Sequence, residues 1–423
     1  MDLYGELAWR GLVYDETEGV RELIAREKVT AYAGFDPTAA SLHVGHLLPI
    51  LSLARAQRFG HSPIALVGGG TGLIGDPSFK VAERALLSLE EVERNAAGIR
   101  SQLSRFLDFE DAANPARLEN NAEWLTKLSA IEFMRDVGKH FSVNAMMAKE
   151  SVKRRLEGED GISYTEFSYP LLQAYDFLML HDRFNCRVQL GGSDQWGNIT
   201  AGMDLIRRVR GAKAYGLVLP LLMTAAGTKF GKTEAGSVWL DPQLTSPFRF
   251  YQFWLNTEDG DVVRHLRFFT FLDAARIGAL QEATERSPEQ REAQRTLALE
   301  ITTLVHGPEQ ALRAEHASSV LFGEDIATLS ADDVLSVFDD VPSSTVSPET
   351  LAGDGVSVVE VLAASGLAAS KGEALRLIRG GGVYVNNRRI GDERARLRSA
   401  DAIQGRLFVL RKGAKQNHVV KIG

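Results

Sequence analysis

Short apolar runs that end in glycine-rich turns alternate with amphipathic segments along the first half of the chain, and this alternation restricts the possible folds most. The apolar run at residues 64–67 leads into GGGTGLIG, and a short predicted strand at residues 187–190 leads into GGSDQWG. A helical pattern, HLLPILSLARAQRFG, lies before the first of these runs. Strands that alternate with helices predict a parallel sheet covered on both faces, hence an α/β fold that binds ligands at the carboxyl ends of its strands.

The glycines of GTGLIG, at residues 70–75, have the G-x-G-x-x-G spacing of a dinucleotide-binding turn. Two features of the surrounding sequence disagree with that interpretation. Asp76 follows the last glycine directly, and its carboxylate would repel a pyrophosphate at this position. The acidic residues at the distance expected for a ribose ligand, Glu90 and Glu91, lie in a segment with a helical pattern. The stretch therefore indicates a ligand site but does not favour a dehydrogenase.

Charge is distributed unevenly between the body of the chain and its C-terminal end. The net charge of the 423 residues is −7, but residues 356–423 carry 13 Lys and Arg against 5 Asp and Glu. A basic end on an acidic body favours a polyanionic partner such as nucleic acid, although a solvated basic surface has the same composition. Residues 342–355, between the two, have the composition of a linker.

The cellular setting is predicted from cysteine content and from the absence of targeting patterns. Cys186 is the only cysteine, which excludes an internal disulfide and a thiolate metal cage. No apolar run has the length of a membrane span, and residues 1–20 lack the basic start and apolar core of a signal peptide. We therefore predict a cytoplasmic protein that does not associate with membranes.

Two short motifs have the residue types that bind phosphate. His43 and His46 lie at the start of a predicted helix, where bare N–H groups attract anions and imidazoles can donate to phosphate oxygens. A zinc pair or two structural histidines remain alternatives. Lys229 and Lys232, in KFGKT, flank a small residue in a loop that could neutralise charge developing on a triphosphate. A solvated basic loop is the alternative for this second motif.

A third and a fourth motif supply neutral and acidic polar groups. Tyr169, Gln173 and Asp176 share one face of a predicted helix whose neighbours are apolar. Such groups are costly to bury unless they are paired, either by a ligand or by a structural network. Asp194 and Gln195 follow a strand end and a glycine turn, where a carboxylate suits a ribose hydroxyl and an amide can donate to an oxyanion.

These segments, in this order, resemble those of the class I aminoacyl-tRNA synthetases. HVGH at residues 43–46 is similar to the HIGH signature of that class, and KFGKT is similar to KMSKS. More narrowly, YAGFDPTAASLHVGH, GGGTGLIGDPS, SYPLLQAYDF and GGSDQWGNI resemble the bacterial-type tyrosyl-tRNA synthetases. The basic end of the chain resembles the S-four-type RNA-binding module of those enzymes, so the resemblance covers nearly the whole chain.

The resemblance implies a fold and a domain organisation. The expected fold is a Rossmann-like parallel-sheet catalytic domain, followed by a helical domain and a small α+β RNA-binding domain. The segments it implies are 1–220, a catalytic domain with a helical dimer-interface insertion; 221–322, the KFGKT loop and a helical domain; 323–355, an acidic segment and linker; and 356–423, the basic RNA-binding domain. A homodimer is expected, with residues 121–157 as the candidate interface.

The resemblance also implies substrates and roles for individual residues. The substrates are L-tyrosine, ATP with Mg²⁺ and tRNA(Tyr), with no dedicated metal site on the protein. The implied tyrosine-binding residues are Tyr32, Asp76, Tyr169, Gln173 and Asp176. The implied ATP-binding residues are Gly34, Asp36, His43, Gly45, His46, Gly192, Asp194 and Lys232. The implied catalytic residues, which stabilise charge on the reacting phosphates and adenylate, are His43, His46, Lys229, Lys232, Gln195, Lys80 and Arg84. The implied tRNA contacts are Arg388, Arg389, Arg394, Arg396 and Arg398.

Two other functions remain open at this point. The sister tryptophanyl-tRNA synthetases share the class I site, but they normally lack the basic C-terminal module, and Tyr32 with Asp176 suits a phenol better than an indole. A non-catalytic RNA-binding relative would keep the fold without the activity, but both signatures are intact in this sequence. Two residues depart from the family pattern: Ala33 stands beside the expected ribose site, where some relatives carry cysteine, and Phe79 stands where a glycine is common in the loop after Asp76.

Overall fold

A computed structural model gives the structure of this protein and describes residues 1–76, 87–156, 161–222, 230–233, 236–321, 326, 329–338, 341–413 and 416–423. The chain divides into two compact units. The first unit comprises residues 1–245 and 257–293, and the second comprises residues 246–256 and 294–423. Within the described part of the chain, no helix is long and apolar enough to span a membrane.

The first unit is built on a six-stranded sheet with the order β1-β6-β5-β2-β3-β4. Strands β2 to β6 run parallel, and the short β1 pairs antiparallel with β6 at one edge. These strands are β1 (Asp15–Glu16), β2 (Thr30–Phe35), β3 (Ser62–Val67), β4 (Arg117–Asn120), β5 (Cys186–Gly192) and β6 (Tyr215–Leu219). The α/β class and the parallel sheet predicted from the sequence are confirmed. A two-stranded ribbon follows, made of β7 (Lys232–Thr233) and β8 (Gly236–Ser237).

The first α-helix precedes the first strand, and the other α-helices lie between and after the strands. In chain order they are α1 (Leu3–Trp9), α2 (Val20–Arg26), α3 (Leu47–Arg58), α4 (Leu89–Leu103), α5 (Ala122–Leu125), α6 (Ala130–Glu132), α7 (Val143–Met147), α8 (Glu150–Leu156), α9 (Tyr164–Phe184), α10 (Trp196–Arg210), α11 (Pro247–Leu255), α12 (Asp259–Phe269), α13 (Ala274–Arg286), α14 (Glu292–His306), α15 (Pro308–Leu321), α16 (Ala331–Val337), α17 (Val358–Ala364) and α18 (Lys371–Arg379). Residues 121–157, which have a helical pattern in the sequence, form several short helices rather than one long one.

Helices α9 and α10 pack against each other, and both contact β5. Ser163 caps α9 by accepting from the N–H of Glu166, and Asn185 ends it in a left-handed conformation with φ 49°. Gly211 ends α10 in the same way, with φ 64°. The apolar faces of the two helices meet the sheet in a cluster that includes Tyr32 and Phe177. This packing fixes the polar face of α9 against the carboxyl ends of the strands.

The second unit combines helices with a five-stranded sheet of order β12-β11-β14-β15-β9. Its strands are β9 (Ser343–Val346), β10 (Val356–Ser357), β11 (Val383–Val385), β12 (Arg388–Arg389), β13 (Arg396–Leu397), β14 (Leu407–Lys412) and β15 (Gln416–Ile422), of which β10 and β13 form a separate pair. Strand β9 comes from the segment with linker composition and pairs in parallel with β15. The segment boundaries implied by the sequence stay predictions.

Candidate active site

The polar residues singled out in the sequence converge at the carboxyl ends of three neighbouring strands in the first unit. Asp36 follows β2, the glycine-rich turn follows β3, and Gly192 ends β5. Because β5, β2 and β3 are adjacent and parallel, these three ends lie at one edge of the sheet. Gly34 lies near the end of β2, with open space where a β-carbon would be.

Asp176 lies on the buried face of α9 and holds two side-chain hydrogen bonds. Its Oδ1 accepts from the indole N–H of Trp124 at 2.7 Å, and its Oδ2 accepts from the amide of Asn121 at 2.9 Å. Burial raises the pKa of this carboxyl to about 8, although both hydrogen bonds act in the opposite direction. Asp176 is therefore a buried acceptor whose orientation two donors hold in place.

Tyr32 places a buried hydroxyl in the same surroundings. Its ring lies 5.2 Å from the Phe177 ring, and its oxygen has no hydrogen-bond partner within the described residues. Burial, and then the negative charge of Asp176, raise the pKa of this phenol. On the neighbouring strand β5, Gln189 pairs in register with Tyr32, and its buried Oε1 also lacks a partner in the described part. Buried polar atoms without partners are rare, so these two indicate a ligand with polar groups.

The raised pKa of Asp176 predicts a pH dependence of stability. Between roughly pH 4 and pH 8 the folded protein keeps a proton on this carboxyl that the unfolded chain has lost, so the free energy of unfolding falls as pH rises. We expect this fall to be smaller in Asp176→Asn, measured by urea unfolding at about pH 5 and about pH 8. Equal pH dependence in the variant and the parent chain would contradict the assignment of the shift to Asp176.

A hydrogen-bonded series connects Asn121 to the residues predicted for ATP. Its amide donates to Thr71 Oγ1 at 2.9 Å, and Thr71 donates to Asp36 Oδ1 at 2.7 Å. The hydroxyl of Tyr169 donates to the second oxygen of Asp36 at 2.8 Å. Tyr169, predicted to bind the tyrosine ammonium, and Asp36, predicted to bind ATP, are thus joined directly, so the two predicted subsites share one carboxylate.

A second network joins residues from α9, α10 and the glycine-rich turn. The amide of Gln195 donates to Asp76 Oδ2 at 2.8 Å and accepts from Gln173 at 3.2 Å. Asn198 donates to both Gln173 and Gln195 at 3.1 Å. Asp76, Gln173 and Gln195, all predicted from the sequence, therefore lie in one network. Asp194 lies immediately before Gln195 in the short turn after β5.

The glycines of the turn after β3 make room for the protein's own side chains. A β-carbon on Gly68 would lie 2.0 Å from Asp36 Oδ1, and one on Gly69 would lie 2.3 Å from Asn120 Oδ1. Described residues after β3 form a 3₁₀ turn at Thr71–Leu73 rather than the opening of a longer helix. The interpretation of this turn as a dinucleotide motif is therefore not favoured by the structure either.

His43 and His46 lie just before α3 with their ring centroids 4.0 Å apart and 40° between the ring planes. Nδ1 of His43 accepts from the backbone N–H of Gly45, and Nδ1 of His46 accepts from the backbone N–H of His43, both at 3.1 Å. With Nδ1 as acceptor, a neutral imidazole carries its proton on Nε2. A β-carbon on Gly45 would lie 2.8 Å from the His43 ring, which explains the glycine between the histidines.

The described part of the KFGKT segment lies against this HVGH turn. Gly231 has φ 83°, and a β-carbon there would lie 2.5 Å from Cγ2 of Val44. The turn also pairs with the strand after KFGKT, since the N–H of Val44 donates to the carbonyl of Val238 at 3.0 Å. The two signatures are therefore adjacent. For Lys232 the structure describes only the backbone, in β7, and Lys229, Lys80 and Arg84 lie outside the described residues.

The arginines predicted to contact tRNA lie in the second unit, where all five are exposed. They are Arg388, Arg389, Arg394, Arg396 and Arg398. Two of them hold backbone carbonyls, since Arg389 donates to Gly381 and Arg396 donates to Asp354 and Gly355. These two guanidinium groups thus have a structural contact in addition to any role at the surface.

Asn121, Trp124, Thr71, Asn198 and Gln189 belong to these surroundings, but the sequence motifs do not single them out. Asn121 and Trp124 lie in the segment whose sequence predicts helices and a dimer interface, and Gln189 lies in the strand pattern before GGSDQWG. Asn121 directly follows the parallel strand β4, but that strand is the polar RLEN, so no apolar run marks its position in the sequence.

Comparison with known proteins identifies the family. Residues 25–323 match the description "tRNA synthetases class I (W and Y)", and residues 333–420 match the C-terminal domain of SYY-like tyrosine–tRNA ligases. The chain belongs to the class I tRNA synthetases. This confirms the resemblance found in the sequence. The matched range 25–323 contains both HVGH and KFGKT, whose described residues lie in the adjacent positions given above.

Individual relatives of this synthetase family match over nearly the full chain. The chain is 57% identical to the tyrosine–tRNA ligase of Roseiflexus castenholzii over 417 residues, covering 99% of this chain and 98% of the relative. It is 53% identical to that of Geobacillus stearothermophilus, covering all of both chains. Among solved structures, a C-terminally truncated mitochondrial tyrosyl-tRNA synthetase of Aspergillus nidulans matches with a TM-score of 0.69 and 32% identity, covering 76% of this chain and 94% of the other.

In the described part of this synthetase, no group of three or more His, Cys, Asp or Glu side chains is placed to hold a metal ion. In that part of the chain, no third side chain of these types is placed with His43 and His46 to hold a metal ion. The zinc-pair alternative considered for HVGH therefore has no support among the described residues.

Proposed function

We propose that this chain catalyses the ligation of L-tyrosine to tRNA in two steps, because its full-length relatives are tyrosine–tRNA ligases. The tyrosine carboxylate attacks the α-phosphate of ATP, which forms tyrosyl-adenylate and releases pyrophosphate. The 3′-terminal ribose hydroxyl of the tRNA then attacks the carbonyl of the adenylate, and AMP leaves. ATP enters as its Mg²⁺ complex, as a substrate. The predicted cytoplasmic location stays a prediction.

The observation that carries the choice of amino acid is the buried pair formed by Tyr32 and Asp176. A phenol without a hydrogen-bond partner among the described residues and an oriented carboxyl lie among apolar side chains, including Phe177 and Trp124. In our proposal the hydroxyl of the bound tyrosine donates to Asp176 and accepts from Tyr32. Phenylalanine would leave both groups buried without this partner. Sites of this design reject the analogue that lacks the hydroxyl by roughly 10⁴- to 10⁵-fold, and this same class of synthetase is the standard example.

The other end of the amino acid would face the second network. Asp76, Tyr169 and Gln173 supply a carboxylate, a phenol and an amide, which suit an ammonium group. The contact between Gln195 and Asp76 places the amide predicted to serve the adenylate beside the predicted ammonium ligand. This proposal orients the tyrosine carboxylate away from the Asp176 end of the pocket and toward the HVGH turn.

Catalysis in this proposal depends on positioning and on stabilisation of charge, without a covalent nucleophile on the protein. The Nε2–H groups of His43 and His46 would donate to phosphate oxygens as negative charge develops on them. Lys229 and Lys232, from the adjacent signature, would bind the leaving pyrophosphate, with Lys80 and Arg84 as further cations. Gly34, Gly192 and Asp194, at two strand ends, would contact the adenosine.

Exchange of labelled pyrophosphate into ATP tests this function directly. The assay is run with tyrosine, tryptophan or phenylalanine as the only amino acid. We expect exchange with tyrosine alone. Exchange with tryptophan alone would support the tryptophanyl alternative, and the absence of exchange with all three would support a non-catalytic relative.

The exposed arginines of the second unit are expected to act in the tRNA step and not in adenylate formation. The double variant Arg394→Ala with Arg398→Ala should lower aminoacylation kcat/KM for tRNA by about tenfold and should weaken its salt dependence, since each lost phosphate contact lowers the slope by about 1. Pyrophosphate exchange should stay unchanged. The matched control is Arg276→Ala with Arg286→Ala, two exposed arginines of α13. Parallel losses in exchange and aminoacylation would indicate a structural role for the two residues instead.

A homodimer is also part of the proposal, with residues 121–157 at the interface. The described part of this segment exposes large apolar side chains, among them Ile131 at 71% and Val143 at 57%. We expect Ile131→Asp with Val143→Asp to convert a dimer into a monomer, measured by sedimentation velocity. Leu312→Asp, at an equally exposed leucine of α15, is the control and should leave the dimer intact. A monomeric parent chain would contradict the proposal.

A further inference from the structure

Three aromatic rings meet where the described part of the KFGKT segment contacts α12. The ring of Phe230 stacks on that of Phe269, with centroids 5.7 Å apart and 16° between the planes. It also lies 5.0 Å from the ring of His265, which is one helical turn before Phe269. His265 and Phe269 are both buried, and burial lowers the pKa of the imidazole to about 4, so the ring is neutral at physiological pH. We name this pair on α12 the aromatic seat.

The backbone on the other side of Phe230 contacts the HVGH turn. Gly231 packs so tightly on Val44 that a β-carbon would lie 2.5 Å from it. The carbonyl of Gly231 accepts from the N–H of Val238, and the N–H of Phe230 donates to the carbonyl of Leu222. Phe230 and Gly231 are therefore held between the aromatic seat and the first signature, with Lys229 and Lys232 as their direct neighbours in the chain.

The C-terminal end of α12 is itself fastened by two buried arginines. Arg55 donates through Nη2 to the carbonyls of Phe268 and Thr270 at 2.9 Å and 2.8 Å. Arg10 donates to the carbonyls of Arg267, Thr270 and Leu272 at 2.8–3.0 Å. Cations at a helix C-terminus satisfy its last carbonyls and interact favourably with its dipole. Arg55 lies on α3, the helix that begins directly after HVGH, so one framework carries the first signature and fixes the aromatic seat.

We infer that His265 and Phe269 are positioning residues for the activation step, acting through Phe230 to set the KFGKT segment against the HVGH turn. Neither residue carries a group that the reaction needs. Their effect is geometric, because displacement of a charged group by about 1 Å can cost roughly 10²-fold in rate. The inference rests on the proposed function, in which the lysines on either side of Phe230 and Gly231 bind pyrophosphate.

The test is a mutant cycle on the full chain, with Phe230→Leu, Phe269→Leu and the double variant. Each is assayed by pyrophosphate exchange for kcat and KM for ATP, and by equilibrium dialysis for the tyrosine Kd. We expect each single variant to lower kcat by roughly tenfold or more with an unchanged tyrosine Kd. We expect the double variant to lower it no further than the more severe single variant, since both changes remove one ring contact. If the loss of kcat in the double variant equals the product of the two single losses, the inference is overturned.

The matched control is Phe268→Leu, which removes the same number of atoms from the neighbouring buried position of α12. The ring contact of Phe268 within the described residues is edge-on with Phe269, at 6.3 Å. We expect this variant to lower the thermal unfolding midpoint as Phe269→Leu does, but to keep exchange kcat within about twofold. An equal loss of kcat in both would mean that the helix contributes only stability and would overturn the inference.

Two further measurements keep the outcome decisive. If Phe269→Leu fails to bind tyrosine, the test rests on Phe230→Leu alone. Phe230 is half-buried, and its replacement removes the same ring contact from the side of the KFGKT segment. An unchanged kcat in Phe230→Leu would then overturn the inference. If the parent chain exchanges only with tryptophan, the proposed function fails, and the cycle is run with tryptophan, because the positioning of the segment does not depend on which amino acid is activated.

Discussion

Replacing Asp176 with alanine is expected to abolish tyrosine activation. The carboxylate accepts from Asn121 and Trp124, and in our proposal it also accepts from the phenol of the substrate. A buried donor left without its acceptor costs about 1–3 kcal/mol, and here three donors lose one acceptor together, so we expect exchange to fall by roughly 10³-fold or more. The measurement is pyrophosphate exchange with tyrosine, with folding verified by circular dichroism.

The control for this variant is Asp182→Ala, on the same helix. Asp182 pairs with Arg210 at 2.7 Å near the surface, so its loss changes the charge of α9 without emptying the pocket. We expect it to exchange within about twofold of the parent chain, as is usual for pairs of this kind. Full activity in Asp176→Ala would mean that the buried pair with Tyr32 does not recognise tyrosine.

Replacing His43 with alanine is expected to have the second-largest effect, and it should act on the rate and not on amino-acid binding. The imidazole is oriented by the N–H of Gly45 and lies against the tilted ring of His46, so its Nε2–H is a pre-organised donor. Loss of one such donor to a developing oxyanion typically lowers kcat by roughly 10²- to 10³-fold. We expect exchange kcat to fall by that amount while the tyrosine Kd, from equilibrium dialysis, stays the same.

A histidine outside this site provides the comparison. His316 is exposed on α15 in the second unit, and His316→Ala should exchange like the parent chain. A tyrosine Kd that weakens as much as kcat falls in His43→Ala would show that the histidine supports the amino-acid pocket. The role in phosphate stabilisation would then be wrong.

Much of the fold and of the site could be predicted because the decisive residues lie in short contiguous motifs. Glycine turns after apolar runs predicted the parallel sheet, and the i, i+4, i+7 spacing of Tyr169, Gln173 and Asp176 predicted one polar helix face. Strand β9 was not predicted, because SSTV is short and lies within a stretch rich in Ser and Pro, and its pairing with β15 joins residues about 75 positions apart. Local composition carries no information about a partner that distant.

The supporting residues of the site could not be predicted for the same reason. Asn121 and Trp124 act on Asp176 through a contact that spans more than 50 residues of chain. The contact of Phe230 with the aromatic seat is also long-range, since α12 returns to the first unit after residues 246–256 have joined the second. Hydrophobic pattern places each of these residues in a helix or beside a strand, but pattern does not specify which elements meet.

The sequence by itself determined the class of fold, the family and the polar residues of the pocket, because periodicity, turn chemistry and contiguous motifs are local properties of a chain. Only the tertiary structure decided how those residues are oriented: which two donors hold Asp176, that Tyr169 and Thr71 share Asp36, and that Phe230 stacks on α12. The physical reason is that hydrogen-bond geometry and ring stacking depend on distances between elements, and those distances are set by packing of the whole unit.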